Sequence, residues 1–138
     1  MNKTLQAALF IGAVDLVSRG LDYTLGSPVN GTNLEFSSDL TLTWGLACLV
    51  SAFIIFAGIL FRNFTIAILG SLSAFAVYTV LGLTVLDDTI FASPPDDWRL
   101  ISSHWCKGAM FALFATSLAF RHGVLNILKR RKEIRGEL

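Results

Sequence analysis

Leu40 to Phe61 and Phe64 to Leu86 are two uncharged apolar runs separated only by Arg62 and Asn63. At 1.5 Å per residue each run reaches about 33 Å as a helix, enough to cross a hydrocarbon core of about 30 Å. So short a link forces the two helices into a tight antiparallel pair. A globular domain can bury one such helix, but a chain of 138 residues has too little other sequence to bury both. Composition points the same way. The chain is 54% hydrophobic and 15% charged, against about 25% charged in soluble domains. The class is an all-α integral membrane protein.

Two weaker spans flank this pair. Thr4 to Leu25 carries Asp15, Arg19 and Asp22, and Leu100 to Phe120 carries His104 and Lys107 near its start. The expectation is a four-transmembrane-helix bundle of two antiparallel hairpins, with spans at about 4–25, 40–61, 64–86 and 100–120. Residues 1–120 then form one membrane domain and 121–138 a basic cytoplasmic tail. The first span has an alternative, an amphipathic helix lying in the interface. Its start, Lys3 before an apolar run, faintly resembles a signal peptide. Asp15 and Arg19 interrupt that run and no small-x-small site follows, so the segment is expected to be retained.

Charge sets the orientation. Lys3, Arg62, Arg121, Lys129, Arg130, Arg131, Lys132 and Arg135 fall on one side of the four-span layout. Asp22, Glu35, Asp39, Asp87, Asp88, Asp96 and Asp97 fall on the other. The positive-inside rule places both termini and the Arg62 turn in the cytoplasm, and it works here only with an even number of crossings. Tyr23, Trp44, Trp98 and Trp105 then map near the outer interface, where amphipathic rings prefer to sit.

The two halves repeat their punctuation. Leu21–Pro28 reads LDYTLGSP and Leu86–Pro94 reads LDDTIFASP, each where an odd-numbered span leaves the outer face. Each is followed by a return span carrying Trp44 or Trp105 and ending in Phe61-Arg62-Asn63 or Phe120-Arg121-His122. The marker order fits a tandem duplication of one hairpin. It fits equally well the physics of membrane boundaries, which asks for Asp outside, Trp at the interface and Arg inside.

Asp15, Arg19 and Asp22 share one helix face, with Asp15 near mid-membrane. An intramembrane acid is a functional candidate; the competing reading is that Arg19, one turn away, neutralises it. Lys107 and His104 lie about one turn apart in the outer half of the fourth span. Lys107 either snorkels outward or pairs with Asp15, Asp22 or Asp87. A lone mid-span acid in the first of four short helices is similar to the layout of the small multidrug-resistance transporters. That resemblance implies proton exchange for cationic drugs at Asp15. Arg19, the long first loop and the basic tail depart from that pattern.

Other chemistries lack their residues. His104 and His122 are the only histidines and lie at opposite ends of one helix, so no axial haem pair or metal set is expected. No GxSxG occurs. Cys48 and Cys106 form no CxxC; they are expected as two buried free thiols, with a disulfide as the alternative. Asn30-Gly31-Thr32 is a glycosylation sequon in an outward loop. No catalytic residue, metal or cofactor is assigned, and no enzyme activity is expected.

Small residues mark the expected packing faces: Gly70 and Ala74, with Ala67 and Ser71 beside them, and Gly108, Ala112, Ala115, Thr116 and Ala119. In the tail, Lys129, Arg130, Arg131 and Lys132 are expected to meet lipid headgroups and anchor the topology. The expected function is a small membrane structural or assembly protein. It would be a homo-oligomer or an accessory subunit of a larger membrane-protein complex, partnered by the lipid bilayer and not by nucleic acid. Short apolar spans with a basic tail also resemble phage holins in layout, without a shared motif. That layout implies a self-associating pore former and a bacterial or phage-encoded inner membrane. The alternative is a small proton-coupled transporter using Asp15.

Overall fold

The computed structural model describes residues 3–25, 38–91 and 98–135. They form four helices: α1 (Lys3–Leu25), α2 (Ser38–Leu60), α3 (Phe64–Phe91) and α4 (Trp98–Arg135). All four are long and apolar enough to cross a membrane. The Asn30 sequon and the loop acids Glu35, Asp96 and Asp97 lie outside the described residues, as do the side chains of Asp39, Asp87, Asp88 and Trp98.

Two helices run further than the charge pattern suggests. α3 continues past Leu86 to Phe91, because no helix breaker comes before Pro94. α4 continues from Phe120 to Arg135. Its tail is built of Leu, Lys, Arg and Glu, all good helix formers, with no proline. A charge ends a membrane span but does not end a helix.

The α2–α3 turn is fixed by local hydrogen bonds. The Asn63 amide donates to the Gly58 carbonyl at 3.0 Å and the Arg62 amide to the Ile59 carbonyl at 3.2 Å. This pair of bonds is a Schellman motif. Arg62 holds its left-handed position at φ 52°, where glycine is usual. Asn63 then caps α3, its Oδ1 accepting from the Thr65 amide at 2.9 Å.

Successive helices pack against one another and run antiparallel. Phe10 of α1 meets Phe56 of α2 edge-on at 5.5 Å between centroids. Between α2 and α3 the backbones come close at two glycines. A Cβ at Gly58 would lie 2.6 Å from the Ala67 nitrogen, and one at Gly70 would lie 2.8 Å from the Ile55 nitrogen. Ser51 and Ser73 share a hydrogen bond at 2.7 Å across the same interface, the kind of polar link that supplements packing where lipid gives no hydrophobic drive. α4 lies on α3 with Trp105 against Gly82 and His122 beside Phe64. Leu9, Leu16, Ile55, Tyr78, Phe111 and Leu118 form the centre of the core. By contrast, α1 and α4 approach only over a short stretch, around Gly12–Phe111 and Asp15–Lys107.

α4 also outlasts the bundle. The Phe64–His122 contact marks the bundle end at its C-terminal side. Residues 123–135 project about 20 Å beyond it, exposed along their whole length.

Candidate functional site

Three helices converge on Asp15. Lys107 Nζ of α4 donates to Asp15 Oδ1 at 2.7 Å and to Oδ2 at 2.8 Å. The Tyr78 hydroxyl of α3 donates to Oδ2 at 2.6 Å. The carboxylate thus receives three charge-assisted hydrogen bonds, stronger than neutral ones. Lys107 Nζ also lies 5.8 Å from the Tyr78 ring centroid, within range of a cation–π attraction.

The three residues meet because their helices bring them to one depth. Asp15 is about 18 Å along α1 from Lys3, Tyr78 about 21 Å along α3 from Phe64, and Lys107 about 22 Å along α4 from His122. The Tyr78 ring is fully buried. It stacks on Phe111 at 5.9 Å and 13°, with the His104 ring 6.1 Å away and tilted. That packing aims the hydroxyl at α1. Gly12, one turn before Asp15, lets Phe111 reach α1: a Cβ there would lie 3.0 Å from the Phe111 ring.

The pair is not sealed. Asp15 keeps 36% of its side-chain surface open and Lys107 keeps 25%. Both lie at the α1–α4 seam, where the two helices touch over only a short stretch. Arg19 stands one turn further along α1 and is half-buried. Lys107, reaching across from α4, takes the carboxylate oxygens directly.

The remaining sequence candidates take varied places. His104 is buried beside Tyr78, belonging to the same cluster as Lys107. Ala67, Gly70, Ser71 and Ala74 are buried in α3, and Gly108 and Ala115 in α4; Ala112 is half-buried. Thr116 and Ala119 face outward. Lys129, Arg130, Arg131 and Lys132 surround the projecting end of α4. Cys48 and Cys106 are both free. Cys48 is buried, but Cys106 is exposed, because its side of α4 is opposite the face carrying His104 and Phe111. Among the described residues no group of three or more His, Cys, Asp or Glu stands close enough to hold a metal ion.

Sequence reasoning did not single out Tyr78. Tyr78 is the one phenol inside the clean run from Phe64 to Leu86, and a buried hydroxyl at mid-span needs a partner. That was the available signal.

Comparison with protein-family models, with curated proteins and with solved structures finds no match, so the site is read from its own geometry.

Proposed function

We propose that the chain is a small integral membrane assembly protein whose bundle is tied together by Asp15, Tyr78 and Lys107. The observation that carries this reading is the state of the Asp15 carboxylate. Both its oxygens are committed to partners on two other helices. An acid held in this way serves as a clasp between α1 and α4, which otherwise touch little. Around it lies a large apolar exterior suited to lipid or to neighbouring protein, including Phe53, Leu60, Leu113 and Phe120.

In this reading all four helices span an inner membrane. The end holding the Phe61–Asn63 turn faces the cytoplasm, together with Lys3 and the basic extension of α4. The charge segregation along the chain supports that orientation. The protein works as a homo-oligomer or as an accessory subunit of a larger membrane complex, not as an enzyme. The origin of the two hairpins by duplication draws support from the repeated boundary words alone.

One observation favours a second reading, the proton-coupled transporter. Asp15 and Lys107 retain open surface at the α1–α4 seam, so an incoming cation could displace Lys107 from the carboxylate. The two readings separate in one pair of measurements. The assembly reading expects native mass spectrometry in mild detergent to find an oligomer or a complex, and proteoliposomes to show no flux driven by a pH gradient. A monomeric chain with cation flux that disappears in Asp15→Asn would replace it with the transporter.

A further inference from the structure

The seam between α1 and α4 changes character at Asp15. On the Lys3 side of it, apolar side chains close the two helices together. A Cβ at Gly12 would lie 3.0 Å from the Phe111 ring and 3.7 Å from the Met110 Cε. Ile11 and Phe114 continue that face. The next polar side chain of α4 on it, Ser117, lies about 15 Å along the helix from Lys107. On the Leu25 side each helix packs on a different neighbour. α1 presses on α2: a Cβ at Gly20 would lie 3.1 Å from the Gly45 carbonyl oxygen, and one at Gly45 would lie 3.0 Å from the Gly20 oxygen. α4 presses on α3, with the Trp105 ring against Gly82. The side chains along this half of the seam are polar. Ser18, Arg19 and Asp22 follow Asp15 at spacings of three, four and seven on α1, and Ser103 precedes Lys107 by one turn on α4. Ser18 and Asp22 are exposed, and Arg19 and Ser103 are half-buried.

Two facts argue against hydrocarbon along the polar half. First, a charge deep in a bilayer is costly unless it faces protein or water, yet Asp15 and Lys107 keep 36% and 25% of their side-chain surface open. Second, the hydroxyls behave differently there. Thr116 faces outward and turns its hydroxyl back to the Ala112 carbonyl at 3.0 Å. Ser51, Ser71 and Thr79 do the same at 2.8 Å. A helix satisfies a hydroxyl in this way where water does not reach it. Ser18 and Ser103 do not turn back; among the described residues neither hydroxyl has a hydrogen-bond partner. Ser117 shares this trait, but it lies only about 8 Å from His122 at the other end of the bundle.

We propose that water enters the bundle from the Leu25 end along the α1–α4 seam, reaches the Asp15–Lys107 pair, and stops where Phe111 and Met110 close over Gly12. The path is a half-channel and not a pore. It rests on the four-span membrane reading above and deepens it at the same site: the clasp is solvated from one side of the membrane. Water there gives Asp15 and Lys107 the polar surroundings that their open surface requires. Ser18 and Ser103 line the way with hydroxyls free to bond it, and Asp22 stands near its mouth, about 10 Å along α1 from Asp15. The apolar half of the seam stays dry, so the bilayer stays sealed. What can travel this path is water and small hydrated ions.

Cysteine accessibility in sealed native-membrane vesicles of both orientations tests the path. Single cysteines replace Ser18, Ser103, Ile11, Leu113 and Leu25 in a Cys48→Ala/Cys106→Ala background. Serine to cysteine changes one atom, so the fold is kept. The probe is a charged, membrane-impermeant methanethiosulfonate, which attacks the thiolate and so needs water at the site. Leu25→Cys, at the end of α1, identifies the side of the membrane on which the path opens. Ile11 and Leu113, 69% and 66% open on the bundle exterior, serve as comparisons. From the Leu25 side, Ser18→Cys and Ser103→Cys should react about tenfold or more faster than Ile11→Cys and Leu113→Cys. From the opposite side neither serine position should react. If the serine positions react no faster than Leu113→Cys, the half-channel is wrong; an oligomer in native mass spectrometry would leave the assembly reading standing. If Ile11→Cys keeps pace with them, or they react from both sides, the seam is open throughout and the one-sided path is wrong. If Leu113→Cys reacts as fast as the serine positions, α4 does not lie in hydrocarbon, and the four-span reading falls with the proposal.

Discussion

Lys107→Met is the sharpest test of the clasp. The substitution keeps the length and packing of the side chain but removes its charge, leaving Asp15 with the Tyr78 hydroxyl alone. Breaking a buried ion pair by removing one partner costs about 3–5 kcal/mol. Asp15 and Lys107 keep 36% and 25% of their side-chain surface open, so screening reduces the expected loss to about 2–3 kcal/mol. The double variant Asp15→Asn/Lys107→Met removes both charges. Its amide oxygen still accepts from Tyr78, and its stability should return to within about 1 kcal/mol of the parent. The coupling between the two sites is the amount by which the two single losses together exceed the loss of the double variant. The measurement is an unfolding titration with sodium dodecyl sulfate from dodecylmaltoside micelles, followed by far-ultraviolet circular dichroism. If Lys107→Met lies within about 0.5 kcal/mol of the parent, or the double variant loses the sum of the two singles, the pair is incidental and the clasp is wrong.

Three other outcomes follow from the packing. Tyr78→Phe keeps the stack on Phe111 and loses one hydrogen bond to a charged acceptor, so the same titration should show a loss of about 1.5–3 kcal/mol. Gly58→Leu drives a side chain into the Ala67 backbone, where even a Cβ would lie 2.6 Å away; size-exclusion chromatography should show little or no folded protein. Arg62→Gly relieves the left-handed strain at φ 52° and should raise stability by up to about 1 kcal/mol. In the proposed orientation the same change removes an inner charge, so a topology reporter on the α2–α3 turn should show more mixed insertion.

The middle of the fold was easy to read and its ends were not. α2 and α3 announce themselves because Leu40–Phe61 and Phe64–Leu86 contain no charge, and Arg62-Asn63 leaves room for nothing but a turn. The helices α3 and α4 run past the expected spans, because hydropathy reports where lipid stops and not where backbone hydrogen bonding stops. Asp15 stood out as an acid in mid-span, and Lys107 as a cation with three acids to choose from. Which acid it meets depends on how far α4 is displaced along its axis relative to α1. That displacement is set by side-chain packing such as Phe111 over Gly12, which no local pattern encodes. Tyr78 was missed for a related reason. In an apolar run its ring reads as core, and the target of its hydroxyl belongs to another helix.

The Asp15–Lys107 pair also has a consequence in time. The two residues are 92 positions apart, and translation at 5–20 residues per second separates their synthesis by about 5–18 s. In the proposed four-span layout α1 holds an acid in the bilayer during that interval with its cross-helix partner not yet made, on the least apolar of the four helices. The arrival of α4 neutralises it. A chain stopped before Lys107 therefore displays a mark of incompleteness within the membrane, and a finished chain hides it. The clasp that closes the bundle also distinguishes a completed protein from a truncated one.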